Sequence, residues 1–136
     1  PKTATILCRF LPGLQGMHKE GKMSSSIENT TIFTTDTLDK VKEKVNKYAF
    51  SGGRETIEEH RKKGGNPDID VSYQYLAYFL EDSKKLKQIY DEYKSGKMLT
   101  GELKKITIDV INSFLKEHQA KREKARNNID RFMLRG

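Results

Sequence analysis

From residue 36 onward apolar residues recur three and four positions apart, and no other feature limits so narrowly what this chain can become. In DTLDKVKEKVNKYAF, Leu38, Val41, Val45, Tyr48 and Ala49 share one face, with Asp36 placed as an N-cap and Gly52-Gly53 as a stop. RETIEEHRKK predicts a short charged helix that ends at GGNP, where the glycines release the backbone and Pro67 blocks continuation. In DIDVSYQYLAYFLED, Val71, Tyr73 and Tyr75 alternate like a strand, but Leu76, Phe79 and Leu80 continue at helical spacing and Asp70 stands ready to cap. A buried helix is the expectation there. SKKLKQIYDEYKSG puts Leu86, Ile89, Tyr90 and Tyr93 on one stripe and stops at Gly96. The last segment carries Leu103, Ile106, Val110 and Phe114, then Ile129, Phe132 and Met133, with Glu117 and Lys121 spaced as an i,i+4 ion pair and a break expected near Asn127-Asn128. With no internal repeat, the pattern predicts a mainly α chain: a helical bundle of about five helices.

The first 35 residues obey a different pattern. TATILCRF, residues 3–10, has the β-branched and apolar content of a strand and stops at Leu11-Pro12-Gly13. A lone strand is not stable, so residues 1–10 read as the last strand of a larger sheet. Residues 13–35 are rich in Gly, Ser, Thr and Lys and predict a long loop of the functional or mobile kind. The expected division is therefore 1–35 and 36–136, one domain with an appendage in a chain of 136 residues. Cys8 has no second cysteine to pair with and reads as a small buried hydrophobe. No apolar run approaches the roughly 20 residues of a membrane span and the start lacks a signal-peptide pattern, which makes a cytoplasmic protein without a membrane partner the expectation. The formal net charge is +7, and residues 101–136 hold nine Lys and Arg against five Asp and Glu. A basic end suits a polyanion such as RNA, although a helix exterior of mixed sign is by default a solvated face.

Within the loop, Gly16 to Lys22 satisfies G-x-x-x-x-G-K, the outline of a phosphate-cradling P-loop. Position 23 is Met, where Ser or Thr must ligate Mg²⁺, and SSSIENTTIFTT is a poor helix. ITID at 106–109 falls mid-helix and cannot serve as the partnering strand. That excludes the P-loop. Two readings of KMSSS stay open on the residues alone: a loop in which the Lys22 ammonium stabilises phosphate charge while serines hold it in place, or a polar surface turn.

Lys22-Met23-Ser24-Ser25-Ser26 resembles the lysine-methionine-serine signature of class I aminoacyl-tRNA synthetases, a loop that follows the last strand of the nucleotide-binding fold and closes over ATP. The residues beyond it, NKYAFSGGRETIEEHRKKGGNPDIDVSYQYLAYFLED and YKSGKMLTGELKK, resemble the C-terminal domain of eukaryotic-type tryptophanyl-tRNA synthetases over almost the whole chain. The resemblance implies that residues 1–35 are the end of a truncated Rossmann-type catalytic domain and residues 36–136 an anticodon-binding domain. It implies an enzyme that activates tryptophan with ATP and Mg²⁺ and charges the tRNA for tryptophan, as a homodimer in its full-length form. No metal ligand is expected in this chain.

Residue by residue, the resemblance implies that Lys22 stabilises the ATP phosphates, Met23 packs by the adenine, and Ser24 and Ser26 hold nucleotide and loop. Ser25 stands where many relatives carry a second lysine, so the electrostatic load falls on Lys22. Arg54 and Glu55 are the expected anticodon contacts, with Lys104 close by. A guanidinium and a carboxylate together suit bases that offer both acceptors and donors, as in cytosine-containing anticodons; the plainer alternative is a salt bridge at a helix start. Glu55 is one methylene longer than the Asp expected in relatives. The His-x-Gly-His element and the tryptophan pocket of the family have no counterpart here, so this chain alone is expected not to form adenylate. A different class of function, a stand-alone helical RNA-binding or scaffold module with a vestigial loop, is distinguished by what the reading frame encodes before Pro1.

Overall fold

The computed structural model describes residues 4, 6, 10–16, 23, 24 and 26–131, the last by its backbone only. Five α-helices carry the fold: α1 (Leu38–Tyr48), α2 (Ile57–Lys63), α3 (Val71–Phe79), α4 (Ser83–Lys94) and α5 (Thr100–Arg126), with single 3-10 turns at Glu28–Thr30 and Ile129–Arg131. No strand forms among the described residues; of the strand expected over 3–10 only Ala4, Ile6 and Phe10 are described, and the rest lies outside them.

Polar caps start most of these helices. Thr37, Thr56, Asp70 and Asp82 each accept a backbone N–H from the first turn of α1, α2, α3 and α4, and the Glu102 carboxylate accepts the Leu99 N–H at 2.7 Å to open α5. Asp36 does not cap α1 as its position suggests. Thr37 does, and Asp36 is turned inward to a lysine. Gly64 and Gly96, both at positive φ, end α2 and α4. The long helix breaks at Asn127 as the sequence predicts.

Two cores lie on either side of α3. Val41, Val45 and Ala49 of the first helical segment meet Val71, Tyr75, Ile108, Ile111, Leu115 and the loop residue Leu14. Leu76 on the other side of α3 packs with Ile89, Tyr93, Met98 and Leu103. A helix buried on two faces shows weak one-sided periodicity, which is why α3 imitates a strand in the sequence. In α5 the buried row is Leu103, Thr107, Ile108, Ile111 and Leu115, one step round the helix from the expected row. Ile106 and Val110 are half-buried against the second core, and Phe114 is 46% exposed, its ring 5.1 Å from Phe79.

The segment before the bundle is stitched into it. Tyr75 Oη donates to the Pro12 carbonyl at 2.8 Å, Leu14 N–H donates to the Thr30 carbonyl at 2.9 Å, and Phe50 N–H donates to the Leu14 carbonyl at 2.7 Å. Leu14 is almost fully buried. The chain that leads into the KMSSS stretch and the chain that leaves it are thus both fixed to the helices.

Candidate functional site

Of the loop residues singled out by the sequence, Lys22 and Ser25 lie outside the described residues. Met23 is half-buried against the first core. Ser24 and Ser26 share a hydrogen bond between their hydroxyls at 2.8 Å. The Thr31 hydroxyl donates to the Ser24 carbonyl at 2.6 Å, and the Thr31 carbonyl accepts from Lys44 Nζ at 2.8 Å. Lys44 is a buried residue of α1 whose ammonium also meets the Asp36 carboxylate at 2.7 Å and stands 4.8 Å over the centre of the Phe33 ring. Gln119 of α5 donates to the Thr34 and Asp36 carbonyls at 2.9 and 3.0 Å. Sequence reasoning missed this group. Lys44 looks like one more charged residue of an amphipathic helix, and its only distinguishing mark is that it directly precedes Val45 on the buried side.

The two glycine-bearing motifs, AFSGGR and GGNPDID, meet at Asp70. Its carboxylate, fully buried, accepts from Gly52 N–H at 2.8 Å, Ser72 N–H at 2.9 Å, Tyr73 N–H at 3.4 Å and Tyr93 Oη at 2.8 Å. Burial first, and the Asp70 charge next, push the Tyr93 hydroxyl up to about 12, so it stays a donor. Tyr93 Oη also lies 3.1 Å from the Thr100 hydroxyl, and His60 donates from Nε2 to the Met98 carbonyl at 3.0 Å while its ring sits 5.1 Å from that of Tyr93. The glycines are required by close approach. A Cβ at Gly53 would lie 2.3 Å from the Thr100 hydroxyl and one at Gly65 2.5 Å from the Tyr93 ring.

Over this group opens a hollow of about 430 Å³ between the starts of α2 and α5. Arg54, Glu55, Thr56 and Ile57 form one wall, Leu99, Thr100, Gly101 and Glu102 the other, and His60 lies between them. Arg54 and Glu55 precede α2 rather than opening it, and no ion pair joins them among the described residues. Arg54 Nε donates to the Gly64 carbonyl at 3.1 Å, which braces the guanidinium at one edge. Ile57 is 63% exposed and Leu99 half-buried, so apolar surface faces the hollow beside a charged donor fork and a carboxylate. A Cβ at Gly101 would meet nothing within 4 Å, leaving the α5 side open to an incoming group. Such a surface offers a flat group an apolar face to lie on and polar groups at its edge.

Lys104 does not line this hollow. Its half-buried ammonium donates to the Asn46 carbonyl near the end of α1 at 3.1 Å, and burial pulls its pKa down, partly opposed by the Asp70 charge. The wall at 99–102 carried only a faint signal, a glycine one residue inside a helix start, where its sole merit is the space it leaves.

A family model described as tRNA synthetases class I (W and Y) matches residues 1–116. The cytoplasmic tryptophan–tRNA ligase of Homo sapiens is 55% identical over 129 residues, which are 95% of this chain and 27% of that protein. The tryptophan–tRNA ligase of Saccharolobus solfataricus is 54% identical over 136 residues, 99% of this chain and 35% of the other. Among solved structures, the tryptophanyl-tRNA synthetase from Giardia lamblia shares the fold with a TM-score of 0.80 at 47% identity, over 85% of this chain and 28% of that one. The chain therefore spans between 27% and 35% of the length of these three relatives. No described helix is long and apolar enough to cross a membrane.

Proposed function

Since this chain belongs to the class I tRNA synthetases of the tryptophan and tyrosine type, we propose that it serves a tryptophan–tRNA ligase as the part that closes on ATP through Lys22 to Ser26 and reads the tRNA anticodon through Arg54 and Glu55. The observation that carries the second role is the hollow between the starts of α2 and α5, where a braced guanidinium and a carboxylate flank apolar surface. Base edges are read by such groups, while backbone phosphates need only charge. Lys104, whose ammonium is held to the Asn46 carbonyl at the end of α1, meets the tRNA beside the hollow rather than within it.

In the complete ligase a tryptophan carboxylate oxygen attacks the α-phosphorus of ATP and pyrophosphate leaves. A terminal hydroxyl of the tRNA then attacks the acyl carbon and releases AMP. The Lys22 ammonium acts on the phosphate charge that builds in the first step, with Mg²⁺ arriving as part of the ATP substrate. The relatives named cytoplasmic favour the same compartment for this chain.

Two measurements test this reading. The isolated 136-residue chain is expected to show no tryptophan-dependent ATP–pyrophosphate exchange; measurable exchange sinks the division of labour proposed here. Fluorescence titration of the chain with tRNA bearing the tryptophan anticodon, against the same tRNA with the anticodon swapped, tests base reading. Arg54→Ala is expected to weaken the matched tRNA by about 1–3 kcal/mol and to narrow its advantage over the swapped one. If Arg54→Ala weakens both equally and only flattens the salt dependence, Arg54 touches phosphate and not a base.

A further inference from the structure

The buried ammonium of Lys44 is unused by the roles assigned so far. Placing an ammonium inside a protein costs several kcal/mol before its partners are counted, and an apolar pair of similar volume often serves stability as well or better. Its partners also follow a pattern. The Thr31 carbonyl, the Asp36 carboxylate and the Phe33 ring all belong to the segment between the KMSSS stretch and α1. The Phe33 N–H donates to the same Asp36 oxygen at 3.0 Å, closing that segment on itself around the charge. From Thr31 the chain of contacts runs on through its hydroxyl to the Ser24 carbonyl, and Ser24 shares its own hydroxyl bond with Ser26. A helix of the bundle thus grips the base of the serine loop.

We propose that Lys44 is a positioning residue for the nucleotide loop: it acts through Thr31 to set where Ser24 and Ser26 stand. This rests on the reading of the loop as an ATP-phosphate loop. A directional charge clamp holds one register of the segment, whereas apolar contacts would tolerate several. Displacing a catalytic group by about 1 Å can cost up to about a hundredfold in rate, so a clamp on the loop's base reaches the chemistry without touching substrate.

Two variants separate positioning from plain stability. Lys44→Met combined with Asp36→Asn removes the clamp and leaves no unpaired buried charge. Thr31→Val cuts only the Thr31-to-Ser24 link and leaves the ion pair in place. In the 136-residue chain, hydrogen exchange at the Met23 and Ile27 amides, which donate to the Leu11 and Ser24 carbonyls, should quicken in both variants while α1 and α5 keep their protection. In the full-length ligase, both should lower kcat/KM for ATP in pyrophosphate exchange by about tenfold, with KM for tryptophan and affinity for tRNA unchanged. Protection lost uniformly over the bundle, or every kinetic constant falling together, means that Lys44 is structural and overturns the proposal. So do quickened loop amides with unaltered ATP kinetics. Lys22→Ala serves as the reference: if that enzyme keeps full exchange activity, the phosphate-loop reading has failed, whereas an inactive Lys22→Ala beside unaltered Thr31→Val kinetics defeats the Lys44 proposal alone.

Discussion

Asp70→Ala is expected to lower the stability of the chain by about 3–5 kcal/mol, a large share of what a domain of this size possesses. The alanine removes the acceptor for Gly52 N–H, Ser72 N–H and Tyr93 Oη in one stroke, in a place that water does not reach in the native fold. Each buried donor left without a partner costs about 1–3 kcal/mol, less whatever relaxation or entering water recovers. Denaturation in urea, followed by circular dichroism, reads the effect as a lower midpoint; a loss below about 1 kcal/mol would show that the group is not the hub described here. Asp70→Asn is the milder companion, since it retains one acceptor oxygen. Alkaline pH probes the same group from Tyr93. Its hydroxyl rises from the ordinary 10 to about 12 on folding, so the stabilisation it contributes is full below pH 10 and lost as pH rises through about 12. Tyr93→Phe should remove that part of the alkaline transition.

Gly64→Ala should be nearly as damaging, at about 3 kcal/mol or more, for an unrelated reason. Gly64 ends α2 at φ 72° and ψ 168°, a conformation that L side chains rarely adopt, and a Cβ there would lie 1.8 Å from the Lys94 carbonyl oxygen. The obstacle is backbone at the end of α4, which cannot swing aside as a flexible side chain would, so strain and overpacking add. Gly101→Ala is the control. Nothing lies within 4 Å of the Cβ it would gain, and replacing glycine by alanine inside a helix is worth up to about 1 kcal/mol in its favour. Thermal unfolding should therefore place the two variants on opposite sides of the wild type, and a Gly64→Ala chain with an unaltered midpoint would show that α2 and α4 can separate at little cost.

The candidate site is legible in the sequence only through the family resemblance, because neither composition nor spacing singles out its residues. Arg54 and Glu55 sit between a double glycine and a helix start, and the structure finds them on the wall of a hollow. Lys104 is less legible, because its direction depends on where α1 ends: the Asn46 carbonyl is what its ammonium meets. The residues opposite Arg54 could not be paired with it from the sequence, being some 45 positions away along the chain. The motifs that carry the family resemblance acquire a physical meaning only in three dimensions. SGG and GGNPDID fit together because one supplies the backbone N–H, the other the carboxylate, and glycines at both allow the approach.

By itself the sequence determined the five helices, their stops at Gly64 and Gly96 and the break at Asn127, because apolar spacing, side-chain caps and backbone freedom act within a few residues of one another. Tertiary structure alone decided which apolar row of α5 is buried, that Asp36 pairs with Lys44 while Thr37 takes its place as cap, and that Asp70 joins two distant glycine turns. In each case the deciding partner lies on another element, and a side chain with two feasible local roles takes the one in which its charge or surface leaves water with its hydrogen bonds satisfied.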